Sequence, residues 1–487
     1  SAEGTVQENK WVDWIRQDSG INVEFYPVPR WEVTETLNPA FAAGVAPDVI
    51  NDYSRDNMAL FHSQGVLAPL DDWIEQYAPR LKAYLDDNPA LEPFLRFGDD
   101  NRLYAVTNMR PLHSIANHQI WIRKDWLDNL GLEIPSTEEE FFAVADAFVN
   151  DDPNQSGEND TFAFADGHPY TPIVRALYAG GGHNRKWLVD DDGNVMYART
   201  AEQTLDYLRF HKMAQDRGWV DPELITDPNF ERQVRLWVTD RAGIYFGQVG
   251  PPQFDDLKAN VPHADIVPML SFETAHGRHG LFQEPPTQRY IALNAEIENP
   301  QLALEYLEWH LFEGWFTLQF GFEGEHHEID QATGLPQYLI FGQERTDRLN
   351  YNVEYRLLHQ FELPPGWFAH LAPEDDPHEQ ERARLQEQAL QTQLSVPYRR
   401  DMPYRPSMRE LLAFYDEFDP VFDDIFDQVV RGDETPEWGY EQTLSEWSRL
   451  GGPRMEEIVQ EWYDLEAPGW GDWRLDLEGM LAEFLGE

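Results

Sequence analysis

Oxygen-bearing side chains recur at every second position in one short segment of the chain. They belong to Asp152, Asn154, Ser156, Glu158 and Asp160, with a glycine at position 157. Alternating oxygens of this kind form the first nine positions of an EF-hand-type calcium loop, in which one position contributes its backbone carbonyl, here that of Glu158. The twelfth position, usually a bidentate Glu, is Ala163. The same spacing is typical of an Asx-rich turn, so spacing alone leaves both interpretations open.

The segments on either side of this loop form the elements that must hold it. The run QIWI has the apolar pattern of a strand, and it passes through RKDW into a helix that ends at Gly131. A second helix is predicted over Thr137–Phe148, with Ser136 and Glu139 as its capping box and an apolar face toward the core. A strand is predicted after the loop, over residues 161–165. The helix and this strand therefore fix the two ends of the loop.

This stretch resembles the signature of a known family. The segments IWIRKDWLDNLGLEIPSTEEEF and DPNQSGENDTFAF are similar to those of extracellular solute-binding protein family 1 of bacterial ABC sugar importers. The resemblance is to the long members of that family, of which the best known bind alginate oligosaccharides. The resemblance includes FAAGVAPDVIND and GFEGEHHEI, and it continues, with gaps, from about residue 11 to residue 465.

The resemblance implies a structural calcium ion bound by the loop. Its ligands would come from Asp152, Asn154, Ser156, Glu158 and Asp160. The family usually has a carboxylate directly after the last loop Asp, where this chain has Thr161. This departure implies either a weaker site or a site in which a water molecule fills the gap.

The resemblance also implies a fold and a domain organisation. We expect an α/β, periplasmic-binding-protein-like fold of two lobes, joined by a hinge with a ligand cleft between them. The first lobe is predicted to comprise residues 1–109 and 295–345. The second is predicted to comprise residues 110–294 and 346–487, with additional C-terminal helices. A length of 487 residues is consistent with two lobes.

One group of candidate ligand residues follows the predicted strand in APDVINDYSRDN. In open α/β sheets, ligands are bound beyond the carboxyl ends of the strands, which is where Asp52, Tyr53 and Arg55 would lie. A solvated turn, with Arg55 paired to a surface carboxylate, is the alternative interpretation.

A second group lies in the second lobe. The glycines of RAGIYFGQVGPP leave backbone room for a ligand to approach Tyr245, Phe246 and Gln248, and the corresponding loop lines the sugar cleft in the resembling family. Tyr170 lies in a turn that leads into a predicted helix and is a further candidate for the cleft.

The aromatic content fits a carbohydrate ligand. Aromatic residues make up 13% of the chain and include 17 Trp. The C–H faces of pyranose rings pack on aromatic rings, and sugar hydroxyls need hydrogen-bond partners. Many of these Trp residues must belong to the core. Trp187, Trp315 and Trp367 are candidates for a cleft.

The charge of the chain excludes several classes of partner. There are 88 acidic and 37 basic residues, giving a formal net charge of −51, and only six of the basic residues are Lys. Such a surface disfavours nucleic acid and anionic membranes, which are polyanions. It points to a halophilic or alkaliphilic source, because salt screens the self-repulsion. Arg55, Arg110 and Arg175 could still hold a carboxylate locally, so neutral and uronic sugars both remain open.

The sequence also bears on cellular location. The chain contains no Cys, which excludes disulfides, thiolate catalysis and Cys-ligated zinc. No apolar run reaches membrane-spanning length. The signal peptide and the lipid-bearing Cys of the resembling family are absent from the chain as given. We therefore expect a processed or trimmed N-terminus on an extracytoplasmic protein that is periplasmic or lipid-anchored at the cell surface.

These features predict a receptor without enzymatic activity. It would be monomeric, capture an oligosaccharide by hinge closure and deliver it to the membrane permease subunits of an ABC importer. A glycoside hydrolase is the rival interpretation, but it needs two carboxylates at a fixed separation. No segment singles out such a pair among the 88 acidic residues. A peptide receptor on the same fold is a third interpretation.

Overall fold

A computed structural model describes residues 3–470 and residue 482, except positions 31, 99, 116–117, 166–177, 179–186, 191, 227–230, 249, 278–284, 363, 365, 396–401, 403 and 407. Across this part of the chain, no helix has both the length and the apolar composition that crossing a bilayer requires.

The described residues form the following strands and helices. The strands are β1 (Val49–Asp52), β2 (Arg96–Phe97), β3 (Arg102–Leu103), β4 (His118–Arg123), β5 (Phe162–Ala165), β6 (Trp187–Val189), β7 (Val195–Tyr197), β8 (Ala242–Gln248), β9 (Ile266–Met269), β10 (Tyr290–Leu293), β11 (His327–Ile329) and β12 (Pro336–Tyr338). The α-helices are Lys10–Ser19, Val33–Ala42, Arg55–Ser63, Asp71–Tyr77, Pro79–Asp87, Glu92–Leu95, Leu112–Ile115, Lys124–Leu130, Glu138–Asn150, Gln203–Asp216, Glu231–Val238, Phe254–Asn260, Pro300–Trp309, Trp315–Phe320, Gly342–Arg348, Asn352–Tyr355, Trp367–Leu371, Pro377–Leu394, Arg409–Val430, Pro436–Leu450 and Gly452–Glu466.

The chain divides into two compact units, each built from separated segments. Unit 1 consists mainly of Ser1–Leu112 and Pro285–Pro373, and unit 2 consists mainly of His113–Glu284 and Glu374–Pro468. The sequence-based division differs from this at residues 110–112, 285–294 and 346–373, which it assigns to the second lobe. In the structure, β10 pairs with β1 of unit 1, and the helix Asn352–Tyr355 packs in a unit 1 core.

Unit 1 is organised around the antiparallel pair β1 and β10. The register places Val49 opposite Leu293 and Asp52 opposite Tyr290. An isolated bridge between Val106 and Ile291 adds the segment that follows β3 to the other side of β10. Apolar residues of the helices cover these strands, and the cluster includes Leu70, Ile74, Leu81, Leu304, Leu307 and Leu311.

The N-terminal segment packs against a second hydrophobic core of unit 1. Trp11, Val12 and Ile15 form the buried face of the first helix, which packs with Trp309 and Tyr355. The following residues, 21–28, carry the alternating pattern of a strand, yet they form no β-ladder. Their alternation reflects the packing of Val23 and Phe25 against this core, with the Phe25 and Tyr355 rings 4.4 Å apart. Such alternation predicts a strand over residues 21–28, and this prediction is wrong.

Unit 2 contains a four-stranded mixed sheet in the order β5-β8-β4-β9. β4 is antiparallel to both of its neighbours, and β5 is parallel to β8. Gly243 in β8 faces the aromatic side chains of Phe148 and Trp126, and a Cβ atom there would lie 2.2 Å and 2.7 Å from those rings. Gly243 therefore allows two flanking helices to approach the sheet.

Several predicted local features are confirmed. The Asp192-Gly193 pair predicts a β-hairpin turn, and β6 and β7 form that antiparallel hairpin. The helix after RKDW ends at Gly131, whose φ of 68° is left-handed. The capping box of the next helix is shifted by one residue from its predicted position. Thr137 caps the helix Glu138–Asn150, and Glu140 supplies the reciprocal hydrogen bond.

Candidate functional site

The oxygen-rich loop of unit 2 brings its predicted ligands together around Ser156. Ser156 Oγ lies 3.4 Å from Asp152 Oδ1, 3.4 Å from the carbonyl oxygen of Glu158 and 3.3 Å from Asp160 Oδ1. A single hydroxyl proton can be donated to only one of these three acceptors. Oxygens in adjacent octahedral positions around a calcium ion, each about 2.4 Å from it, lie about 3.4 Å apart. The three distances from Ser156 Oγ are compatible with neighbouring ligands of one calcium ion, and calcium binding stays a prediction.

The backbone of the loop adopts the conformation that this convergence requires. Asp152, Gln155 and Gly157 all have positive φ, at 47°, 55° and 78°. The backbone N–H of Ser156 donates to Asp152 Oδ1 over 2.9 Å and to Asn154 Oδ1 over 3.2 Å, and that of Gly157 donates to Asp152 Oδ2 over 3.0 Å. The backbone in the middle of the loop is thus hydrogen-bonded to the side chains of Asp152 and Asn154 at its beginning.

The donor set fits a hard divalent cation, although it is sparse. Two carboxylates, one amide, one hydroxyl and one carbonyl make five oxygens, and calcium takes six to eight. Thr161 is not a sixth ligand, because it is buried and its hydroxyl donates to the Phe148 carbonyl over 2.7 Å. Nowhere in the described part of the chain do three His, Asp or Glu side chains meet at a metal-binding point. The loop does not form such a group of three, because only two of its five candidate ligand oxygens come from carboxylates.

The turn at Asp240 and Arg241 anchors the loop, and the sequence interpretation missed it. Asn154 Nδ2 donates to the Asp240 carbonyl over 3.0 Å, and Arg241 Nε donates to the Asp160 carbonyl over 2.9 Å. Asp240 has a φ of 63°, which suits a turn. The two residues lie 80 positions beyond the loop, so no local pattern links them.

A buried ion-pair network fixes this turn to the sheet. Arg123, the arginine of the RKDW segment, is fully buried and donates to both carboxylate oxygens of Asp125 and to Asp240. The indole N–H of Trp126 also donates to Asp240, over 3.2 Å. Three of the four RKDW residues, Arg123, Asp125 and Trp126, therefore belong to the network that holds the Asp240 turn.

The register of β1 and β10 builds a polar edge in unit 1. Because Asp52 is opposite Tyr290, the next residues along each strand direction are Tyr53 and Arg289. The Arg289 guanidinium carbon lies 5.0 Å from the centre of the Tyr53 ring, and that of Arg30 lies 4.4 Å from it. Tyr53 is 39% exposed, so this edge reaches solvent.

The two other predicted residues at this edge are engaged within the protein. Asp52 is buried, and its carboxylate accepts from the Ser54 N–H and from the side chain of Asn57. Burial raises the pKa of Asp52 in spite of these hydrogen bonds. Arg55 donates to the carbonyls of Phe94 and Arg96, so its guanidinium joins a helix to β2. Ligand contacts by these two side chains stay a prediction.

The predicted residues of β8 lie mostly in the interior of unit 2. Tyr245 and Phe246 are 8% and 5% exposed, with their side chains on opposite faces of the sheet. The Tyr245 ring fills the space beside Gly247, which the sequence interpretation left for a ligand. The Gln248 side chain and Tyr170 lie outside the described residues. A ligand role for these four residues stays a prediction.

The three tryptophans singled out by the sequence have different environments. Trp187 is fully buried and donates to the Tyr415 hydroxyl over 2.6 Å, and Trp367 is 4% exposed. Both are core residues. Trp315 is half-buried at the start of the helix Trp315–Phe320, with its ring 6.5 Å from that of Phe361, and it remains a candidate for ligand contact.

Arg289 and Arg356 are further polar residues of unit 1 that the sequence interpretation missed. Arg289 is 7% exposed and donates to the Arg356 carbonyl over 2.6 Å. Arg356 follows the helix Asn352–Tyr355, more than 60 residues away in the chain. The pairing of β1 with β10 in the folded protein shows that Arg289, like Arg30, lies on the ring of Tyr53; the sequence alone does not show this.

The protein has two α/β units, each built from separated segments of the chain. Together with the polar, aromatic strand edge and the oxygen-lined loop, this architecture is that of the two-lobe solute-binding proteins. The model of the bacterial extracellular solute-binding protein family matches residues 4–314, well over half of the 487 residues. The chain belongs to this family, as its motifs predict.

Solved structures share this fold over almost the whole chain. The Streptococcus pneumoniae ABC-transporter substrate binding protein FusA in complex with kestose matches with a TM-score of 0.72 at 19% identity, covering 95% of this chain and 96% of that one. The alginate-binding protein AlgQ2 without calcium ion matches with a TM-score of 0.71 at 19% identity and the same coverage. The predicted two-lobe α/β fold class is confirmed.

The sequence similarity covers a smaller part. The fructooligosaccharide ABC transporter substrate-binding protein FusA of Streptococcus pneumoniae is 26% identical over 245 residues, which are 48% of this chain and 45% of that protein. The match thus spans about half the length of this curated relative.

The ion-pair network around buried Arg123 should stabilise unit 2. Asp240→Asn keeps the shape of the turn but removes the negative charge that faces buried Arg123. We expect it to lower the free energy of unfolding of unit 2 by about 2 kcal/mol, because a buried charge loses part of its compensation. Differential scanning calorimetry would show this as a lower melting temperature. Asp128→Asn, which removes an exposed partner of Lys124, is the matched control and should change little. Equal melting temperatures for the two variants would contradict the role of the network.

Proposed function

We propose that this protein is an extracytoplasmic receptor of an ABC importer that binds an oligosaccharide and delivers it to the membrane permease. The observation that carries the proposal is the match, over 95% of the chain, to a substrate-binding protein in complex with kestose, a saccharide. Membership of the extracellular solute-binding family supports it. Hinge closure on the ligand, a lipid anchor and a monomeric state stay predictions.

The exposed polar groups of unit 1 suit a saccharide. Tyr53 and half-buried Trp315 offer aromatic surface for sugar C–H groups, and the guanidinium groups beside Tyr53 offer hydrogen-bond donors to sugar oxygens. A hydrolase would instead need two carboxylates across one glycosidic bond. At this edge the buried Asp52 carboxylate already accepts hydrogen bonds from Ser54 and Asn57, which favours a receptor.

The function can be tested with a panel of neutral and acidic oligosaccharides and short peptides. We expect some saccharides to raise the melting temperature with 1:1 stoichiometry, because a ligand that binds only the folded state stabilises it. Chromatography of the mixture after prolonged incubation should recover the saccharide intact. Release of shorter sugars would support the hydrolase, and stabilisation by peptides alone would support the peptide receptor.

We also propose that the loop 152–160 binds calcium as a structural ion. The convergence of Asp152, Glu158 and Asp160 oxygens on Ser156 supports this, as does the Asn154 amide oxygen beside the Ser156 N–H. Related structures are described as AlgQ2 without calcium ion and as a FusA EF-hand mutant. Calcium would tie the loop to the helix before it and the strand after it.

Removing calcium should destabilise the protein. We expect a melting temperature several degrees lower in a chelator than in excess calcium, since saturation at 100 times the dissociation constant stabilises by about 2.7 kcal/mol. Asp152→Asn or Asp160→Asn should abolish the difference, because each removes one of two carboxylates. Asp190→Asn is the matched control, since Asp190 accepts three hydrogen bonds in the exposed hairpin turn without any ligand-like convergence. A calcium effect of equal size in all of these proteins, or in none, would contradict the assignment.

A further inference from the structure

Two arginines of unit 1, buried Arg289 and half-buried Arg356, have no acidic partner among the residues that the structure describes. The Arg289 side chain donates to the Arg356 carbonyl, and Arg356 Nε is buried without any hydrogen-bond partner. No carboxylate of the described residues forms an ion pair with either guanidinium. A buried positive charge without a counterion is costly, so its persistence calls for an explanation.

The other buried arginines of the described chain follow the opposite pattern. Arg123 contacts Asp125 and Asp240, and Arg199 contacts Asp419 and Asp423. In a chain with 88 acidic and 37 basic residues, an acidic neighbour is easily supplied. The absence of one at Arg289 and Arg356 is therefore a property of this place and not of the composition.

The positive charges of these arginines also affect the pKa values of neighbouring groups. His310 is fully buried in the turn of π-helix that follows Pro300–Trp309, and its Nε2 has no partner. Burial, and to a smaller extent the charges of Arg289 and Arg356, lower the pKa of His310 to about 3. Burial and the charge of Arg289 lower the pKa of Arg356 to about 10. Burial is the larger cause of both pKa shifts, and the neighbouring arginine charges act in the same direction.

The cluster opens to solvent through Tyr53. Arg289 lies on the Tyr53 ring together with Arg30, which is exposed, and Tyr53 itself is 39% exposed. These residues stand where β1 ends and just before β10 begins, at a strand edge of the kind where α/β proteins bind ligands. An anion from solvent can therefore approach the outer guanidinium groups.

We propose that Arg30, Arg289 and Arg356 bind the carboxylate of an acidic sugar residue, so that the ligand is a uronate-containing oligosaccharide. This inference rests on the proposed function and narrows its ligand class. The planar guanidinium fork matches a carboxylate with two parallel hydrogen bonds, and such charge-assisted bonds are about twice as strong as neutral ones. The bound carboxylate supplies Arg289 and Arg356 with a counterion, which no carboxylate of the described residues does.

The test compares acidic sugars with their neutral derivatives by isothermal titration calorimetry. The probes are trisaccharides of galacturonate, mannuronate and glucuronate, each beside its full methyl ester, and a sulphated neutral trisaccharide, all at one ionic strength. We expect at least one uronate to bind roughly 10- to 100-fold more tightly than its ester, as charged hydrogen bonds predict. Arg289→Gln and Arg356→Gln should each weaken binding of the uronate at least about tenfold more than binding of its ester, so that the preference is lost.

Two controls keep the result interpretable. Arg80→Gln alters an arginine of the same unit that also lies on an aromatic ring, 4.0 Å from Phe312, but is paired with Glu313; it should retain the preference. Arg30→Gln changes an exposed residue, so it reports on the cluster even if a buried variant fails to fold, and it should weaken uronate binding selectively. Esters that bind as tightly as acids, or a sulphated sugar that binds best, would overturn the inference while leaving the proposed function standing. If no saccharide of either charge binds, both fail.

Discussion

The antiparallel pairing of β1 with β10 is the constraint on which unit 1 depends. It joins Val49–Asp52 to a segment about 240 residues later and so makes one folded unit from two distant parts of the chain. The same register brings Tyr53 beside Arg289, because each residue lies one step beyond the last paired position. A slip of one residue would turn Arg289 to the opposite face and disperse the cluster. The fold and the polar edge therefore follow from one set of backbone hydrogen bonds.

Local electrostatics in this protein run against its overall charge. With a net charge of −51, most cations meet carboxylates, as the Arg123 network does in unit 2. That network has a mechanical consequence, since it fixes the Asp240 turn whose carbonyl holds Asn154 of the oxygen-rich loop. At Arg289 and Arg356 the local balance is reversed. The net negative charge of the protein repels an anion at long range, and the two arginines attract it at short range. Salt weakens the repulsion more than the attraction, because exposed charges are screened more strongly than buried ones.

The sequence predicted the features that depend on neighbouring residues. The loop 152–160, the Gly131 helix end and the hairpin at 192–193 follow from spacing, conformational preference and turn chemistry, which are local. The family motif predicted the fold class. The capping box was misplaced by one residue because Ser136 and Thr137 are both good caps, and each is followed by Glu three positions later. The strand predicted at 21–28 failed because alternation shows only that one face is covered, not that a neighbouring strand is present.

The features that the sequence did not reveal depend on long-range contacts. Asp240 and Arg241 give no signal of their own, yet they anchor the loop. Arg289 and Arg356 are two of 31 arginines, and they are distinguished by burial combined with the lack of an acidic partner among the described residues. Tyr245 was chosen because glycines flank it, but its own ring fills that space. Burial and pairing decide such cases, and neither can be read from composition or spacing.

A crystal structure of the protein with the saccharide that binds best would test the central claim most directly. The account predicts an intact saccharide at the edge where β1 ends and β10 begins, with an acidic group within hydrogen-bond distance of the guanidinium of Arg289 or Arg356. A cleaved sugar, or an intact one bound away from Tyr53 and Arg289, would contradict it.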